Sequence, residues 1–205
     1  MNLDDVLLPA RQGRYAVGLF NVVTMEMVEG VFQAACELNA PLIIGTAEAF
    51  LPYLSMEAVA DMLLARARRA RIPVVVHFDH GKTFARCMQA LRLGFSSVMF
   101  DGSALPYEEN VARAAEVVRV AHAMGATVEG ELGSIGGMGG GDGAYAEGSL
   151  FTDPLQARDY VKRTGTDALA SAVVNEHGAY KAVPKLDFAR IALIAAVVSL
   201  PRVLP

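Results

Sequence analysis

The chain is poor in the residues that mark several common protein classes. Cys36 and Cys87 are its only cysteines, and it has no tryptophan. Two cysteines cannot supply a disulfide framework. Both fall in helix-like segments and read as buried, reduced thiols, which fits a cytoplasmic protein. There is no run of lysine and arginine, and the net charge is −4. That excludes the basic footprint of a nucleic-acid binder and a polybasic membrane anchor. The longest apolar stretch, Ile191 to Leu200, falls short of the ~20 residues that a bilayer span requires. It reads as the buried face of a helix. Asp4 and Asp5 follow Met1 where a secretory signal would carry positive charge and then an apolar core, so none is expected.

What the chain has is apolar substance and a repeating pattern. Of its 205 residues 53% are hydrophobic and 20% charged, a globular composition sufficient for one α/β domain over residues 1–205. Short apolar runs alternate with longer amphipathic stretches. Strands are expected over Tyr15–Phe20, Pro41–Ile44, Pro73–Phe78, Ser97–Phe100, Thr127–Gly130 and Ala168–Ala172, and a seventh begins at Arg202–Leu204. Helices are expected over Met25–Leu38, Met56–Ala70, Thr83–Leu93, Tyr107–Met124, Pro154–Thr164 and Leu186–Ser199. Thr24 and Asp153 have the chemistry of N-caps, with Pro154 at a first helical position. Gly94 and Gly125 stand where helices should end.

Apolar strands that do not alternate, each followed by a helix, imply parallel strands covered on both faces. An open doubly wound sheet would carry a glycine-rich turn after its first strand. Here that turn reads Phe20-Asn21-Val22-Val23-Thr24. Polar residues recur after many strands: Asn21, Glu48, Asp79, His80, Asp101, Glu131 and His177. Convergence of such residues on one mouth is how a (β/α)₈ barrel builds a site. The expected fold is therefore a TIM barrel, incomplete, with about six βα units and the start of a seventh strand.

The densest chemistry is His77-Phe78-Asp79-His80-Gly81, directly after the apolar run Ile72 to Val76. Imidazole and carboxylate bind divalent metals and move protons near neutral pH. Neighbours on a strand face opposite ways, so Asp79 and His80 serve one site only if the strand ends here, with Gly81 easing the exit. His80 is then a candidate metal ligand and Asp79 an acid/base. A hydrogen-bonded pair that merely orders the loop is the alternative. His77 shares a face with Asp79 and suits an orienting role.

His177, in Asn175-Glu176-His177-Gly178, is a second candidate ligand. Asp101 and Glu131 end the fourth and fifth strands and can ligate a metal or polarise a ligand; they can equally cap helices or order loops. Glu129 shares a face with Glu131 and, pointing inward, would need a partner. His122, late in a helix, favours that helix's C-terminus electrostatically. In the segment Gly136 to Gly143 six of eight residues are glycine, including Gly137 and Gly139, with Asp142 its only acid. It reads as a mobile loop, either a lid or a plain connector.

These residues sit in blocks that resemble the class II, metal-dependent fructose-bisphosphate and tagatose-bisphosphate (ketose-bisphosphate) aldolases. The blocks run through the chain: Phe20-Asn21, Ala40 to Ile43, Val76 to Gly81, Gly94 to Ser103, Glu108-Glu109-Asn110, Glu129 to Gly133, Thr152-Asp153-Pro154, Thr164 to Ala170 and His177 to Lys181. The resemblance implies reversible cleavage of a ketose 1,6-bisphosphate to dihydroxyacetone phosphate and an aldehyde, with Zn2+ as Lewis acid. It implies His80 and His177 as two of three zinc-binding histidines, and Asp79 as the group exchanging a proton with the C4 hydroxyl. Asp101 and Glu131 resemble carboxylates that hold a displaced or second cation. Gly178 and Lys181 lie in the segment that binds the ketose phosphate, and Asn21 lies near the substrate. Relatives of this kind are commonly homo-oligomers.

Three departures accompany the resemblance. Pro205 stands where the family's third zinc histidine is expected, so the chain reads as C-terminally truncated, with weaker metal binding and open sheet edges. Gly139 and Gly140 align with an acidic pair of the family's mobile loop. Ala47 stands where relatives often carry serine. A non-catalytic sugar-phosphate-binding or interaction protein on the same scaffold is the alternative function, and another metal-dependent barrel hydrolase a third.

Overall fold

Regular alternation of strand-length and helix-length apolar patterns produces regular alternation of the elements themselves. The computed structural model describes residues 1–133, 151–173 and 186–204. The elements are α1 (Leu3–Gly13), β1 (Leu19–Asn21), α2 (Met25–Glu37), β2 (Leu42–Ala47), α3 (Met56–Ala67), β3 (Val74–Gly81), α4 (Phe84–Leu93), β4 (Ser97–Phe100), α5 (Tyr107–Ala123), β5 (Thr127–Leu132), α6 (Pro154–Thr164), β6 (Ala168–Ser171), α7 (Phe188–Val197) and β7 (Arg202–Val203). The seven strands form one sheet in sequence order, every neighbouring pair parallel. Sequence-order winding of parallel strands with helical crossovers is the winding of a TIM-type barrel, here incomplete. Among the described residues β1 and β7 each pair on one side only.

Period-two alternation divides each strand between two surroundings. On β3, Val74, Val76 and Phe78 join the apolar layer between sheet and helices. Val75 points the other way, into a small apolar cluster with Leu3, Val6, Ile43 and Ala168. His77 and Asp79 continue the Val75 face, so the lumen is apolar at its N-terminal end and polar toward the strand tips. Large side chains such as Phe32, Phe78, Phe100 and Tyr160 are fully buried in the outer layer, each contributing about 1.5–3 kcal/mol of transfer free energy.

Helix α1 was not expected, and it plugs the apolar end. It starts from a capping box: Asn2 Oδ1 accepts from the Asp5 N–H at 3.4 Å, and Asp5 Oδ2 accepts from the Asn2 N–H at 2.9 Å. Pro9 lies inside the helix and obscures it in the sequence. Tertiary contacts secure it: Leu3 and Val6 are buried, and the Leu3 N–H donates to Thr127 Oγ1 at 2.9 Å.

Other departures from expectation are local. β1 is three residues rather than six, and β3 runs three residues past Phe78. Cys36 is exposed, contrary to its expected burial, because α2 turns that position outward; Cys87 is buried. Helix α7 is less buried than its apolar sequence suggests: Ile194 is covered, whereas Leu193 is 59% exposed. The expected caps hold. Thr24 and Asp153 accept from N–H groups in the first turns of α2 and α6, and Gly94 ends α4 with φ 104°.

Candidate active site at the strand tips

Asp79 and His80 both reach the site, by a route other than the one anticipated. The strand does not end at Phe78, and Gly81 takes no left-handed turn. Instead His80 adopts φ 49°, and the β3–β4 register shifts between Phe78 and Gly81. Such a bulge re-aims side chains, and a left-handed non-glycine residue costs on the order of 1–2 kcal/mol. Gly81 is required for another reason. A Cβ there would sit 2.8 Å from both Cys87 Sγ and the Met99 carbonyl oxygen, so only glycine lets the bulged strand lie against β4.

Two linked groups result. In one, Asn21 Nδ2 donates to Asp79 Oδ2 at 2.7 Å, and the His80 backbone N–H donates to Asp79 Oδ1 at 3.1 Å. In the other, His80 Nδ1 lies 3.1 Å from Asp101 Oδ2 and 3.7 Å from Glu131 Oε2. Asp101 Oδ1 accepts from the Ser103 N–H at 3.1 Å and from its hydroxyl at 2.6 Å. Asn21, Asp79, His80 and Glu129 line a cavity of about 670 Å³ that continues down the lumen to α1.

The electrostatics reflect crowded buried acids. Burial alone would lower the His80 imidazole. The Asp101 hydrogen bond and the charges of Asp79, Glu131 and Asp101 outweigh burial and raise it to about 9. Burial would raise Asp101, but the His80 and Ser103 hydrogen bonds hold it below the usual carboxylate range. Burial, aided by the Asp101 charge, pushes Glu131 up to about 8. Glu129 is raised well above its usual value, again by burial first and by Asp79 next.

His80, Asp101 and Glu131 offer ligand atoms that all lie within 4.8 Å of one another, the spacing of a metal-binding group. Glu131 Oε2 is buried and has no hydrogen-bond partner among the described residues. An orphaned carboxylate oxygen among several acids is what a divalent cation would satisfy. One imidazole and two carboxylates suit zinc and several other divalent ions equally.

Not every strand-end polar residue joins this group. Glu48 accepts from the Lys82 N–H at 2.8 Å and so orders the turn after β3. His122 Nε2 pairs with Asp167 at 2.9 Å at the opposite end of the barrel. His177, Gly178 and Lys181, and the loop residues Gly137, Gly139 and Asp142, lie outside the described residues. Three contributors went unrecognised in the sequence: Ser97, which meets His77; Ser103, which holds Asp101; and Asn110, which reaches the end of β5. Ser97 and Asn110 meet partners on other elements, which no local pattern marks, whereas Ser103 stands two residues from Asp101 and an Asx-type turn could have pointed to it.

A sequence-ordered parallel barrel with ionisable groups at the carboxyl ends of its strands, among them a set able to hold a metal, defines an α/β-barrel enzyme scaffold. The family model described as fructose-bisphosphate aldolase class-II matches residues 1–204. A fructose-bisphosphate aldolase of Staphylococcus aureus is 39% identical over the whole chain, which spans 72% of that relative. One from Geobacillus stearothermophilus is 40% identical, with 71% of it covered. Among solved structures, the YdjI aldolase from Escherichia coli superposes with a TM-score of 0.88 at 35% identity, covering 99% of this chain and 71% of that one. The chain belongs to the class II fructose-bisphosphate aldolase family, a family of lyases.

Proposed function

We propose that residues 1–205 form one domain of a cytoplasmic, zinc-dependent aldolase that reversibly cleaves a ketose 1,6-bisphosphate of the fructose or tagatose type. The products are dihydroxyacetone phosphate and an aldehyde. The observation that carries this reading is the bulge at His80, which sets Asp79 beside the His80–Asp101–Glu131 group in a chain of this family.

His80, Asp101 and Glu131 would hold the cation, with His177 as a further ligand. Bound there, it would supply Lewis-acid polarisation of the ketone next to the breaking bond. The chain's own residues do the rest. Asp79, its Oδ2 held by Asn21, takes the proton of the C4 hydroxyl. As that proton leaves, the C4 oxygen becomes the aldehyde carbonyl, the C3–C4 bond breaks, and its electron pair passes to the ketone half, whose C3 then takes up one proton from water to give dihydroxyacetone phosphate. In the synthetic direction Asp79 returns the proton. Asn21 holds the base and faces the substrate, and Gly178 and Lys181 bind the ketose phosphate. The working form is a homo-oligomer.

The test is metal content by elemental analysis of the purified chain after gel filtration, followed by a cleavage assay with fructose and tagatose 1,6-bisphosphates. About one zinc per chain, with turnover abolished by chelation and restored by zinc, supports the reading. A folded chain that binds the bisphosphate without cleaving it, or that hydrolyses a phosphoester faster, overturns it.

A further inference from the structure

Beneath Asp79 lie buried polar groups that neither the proton transfer nor the metal set uses. His77 precedes Asp79 by two residues and enters the lumen on the same face, with no exposed surface. Its Nδ1 lies 2.8 Å from Ser97 Oγ, and the two residues are in register across the β3–β4 pair. Its Nε2 has no hydrogen-bond partner among the described residues. That nitrogen points between two carboxyl groups, 3.8 Å from Asp79 Oδ1 and 3.8 Å from Glu129 Oε2. Leaving a buried ring nitrogen unsatisfied is destabilising, and the Val74–Val76 run shows what β3 carries where only packing matters.

Burial, working against the Asp79 charge, lowers the imidazole to about 4, so the ring is neutral and has one N–H to place. If the Ser97 hydroxyl donates to Nδ1, the ring proton sits on Nε2 and faces the carboxylate. The opposite tautomer would aim a lone pair at a negative charge. The 3.8 Å separation exceeds a direct hydrogen bond, so the N–H acts on the carboxylate as an aligned dipole.

We propose that Ser97 and His77 form a positioning pair for Asp79: Ser97 sets the tautomer, and the His77 Nε2–H aims its dipole at Asp79 Oδ1, which the His80 backbone N–H also holds, while Asn21 holds Oδ2. With both oxygens held, the carboxylate keeps one orientation toward the substrate, as a base must. His77 acts through Asp79 and does not touch substrate. The inference rests on the reading of Asp79 as the proton acceptor.

Two measurements test it. The chain has four histidines, so nitrogen-15 histidine labelling with single-residue assignment is tractable. Long-range proton–nitrogen correlation should show His77 protonated at Nε2. The Nδ1 resonance should shift in Ser97→Ala and return toward wild type in Ser97→Thr. The Nε2 proton should shift in Asp79→Asn. An Nδ1–H tautomer in the wild type, or an Nε2 proton indifferent to Asp79→Asn, overturns the proposal. In the cleavage assay, His77→Gln and Ser97→Ala should lower kcat about 10–100-fold with KM and metal content unchanged, and Ser97→Thr should recover part of the loss. A lowered Tm with unchanged kcat would assign the pair to packing alone and refute it. If the wild-type chain cleaves no ketose bisphosphate, the aldolase reading fails separately, and the tautomer measurement still decides whether the pair exists.

Discussion

Asn110 ties the site to the outer layer, and its removal should be costly. It is 2% exposed, and Tyr160 is fully buried. Asn110 Nδ2 donates to the Glu131 carbonyl oxygen at 3.0 Å, and Asn110 Oδ1 accepts from the Tyr160 hydroxyl at 3.2 Å. One amide therefore serves two buried groups on β5 and α6. The fit is close: a Cβ on Gly102 would sit 2.3 Å from Asn110 Oδ1. Asn110→Ala leaves both the Glu131 carbonyl and the Tyr160 hydroxyl without this partner, at about 1–3 kcal/mol each. Tyr160→Phe orphans only Asn110 Oδ1 and should cost about 1–2 kcal/mol. Asn110→Ala should thus destabilise the chain by about 2–6 kcal/mol. At ~2–4 °C per kcal/mol for a chain of this size, Tyr160→Phe should lower Tm by about 2–8 °C and Asn110→Ala by about 4–24 °C. Urea unfolding with a common m-value provides the free energies. A second consequence follows from the position of Glu131. Cobalt affinity, read from the visible spectrum, should fall at least tenfold in Asn110→Ala and little in Tyr160→Phe. Equal costs for the two variants, or a loss under about 1 kcal/mol for Asn110→Ala, would refute the shared-amide account.

Three further outcomes are expected. Asp79→Ala should lower aldol cleavage by about 10²–10⁴-fold while metal content, by elemental analysis, stays near the wild-type value; loss of metal along with activity would move Asp79 into the ligand set. Gly81→Ala should destabilise by about 1–3 kcal/mol in urea unfolding, because its Cβ meets Cys87 Sγ and a backbone oxygen. A thiol reagent should modify exposed Cys36 quickly. Cys87, buried and pushed up to about 12 chiefly by that burial, should react only on unfolding; equal rates would contradict the burial.

Apolar periodicity in the sequence was sufficient for the parallel strands, the crossover helices and their order, because these patterns depend on residues within one or two turns of each other. Ser97–Phe100 and Pro154–Thr164 have the expected bounds, and the Thr24 and Asp153 caps form as their chemistry requires. The same locality made Asp79, His80, Asp101 and Glu131 stand out as polar groups at the ends of apolar runs. It could not say which of them meet. Glu48 carries the same strand-end signature and bonds a backbone N–H instead. Helix α1, with Pro9 inside it and a polar first turn, is stabilised by contacts with β2, β3 and β6 that no local pattern contains.

Local patterning suffices for the winding and for the chemical inventory of the strand tips. Which of those groups share a site depends on contacts between strands. Residues 80, 101 and 131 converge because parallel register brings three strand ends level. Asp79 and His80 face the same way because one left-handed residue shifts that register against β4. Register and bulge are set by contacts between strands, among them the close approach at Gly81, and those contacts exist only once the chain has folded.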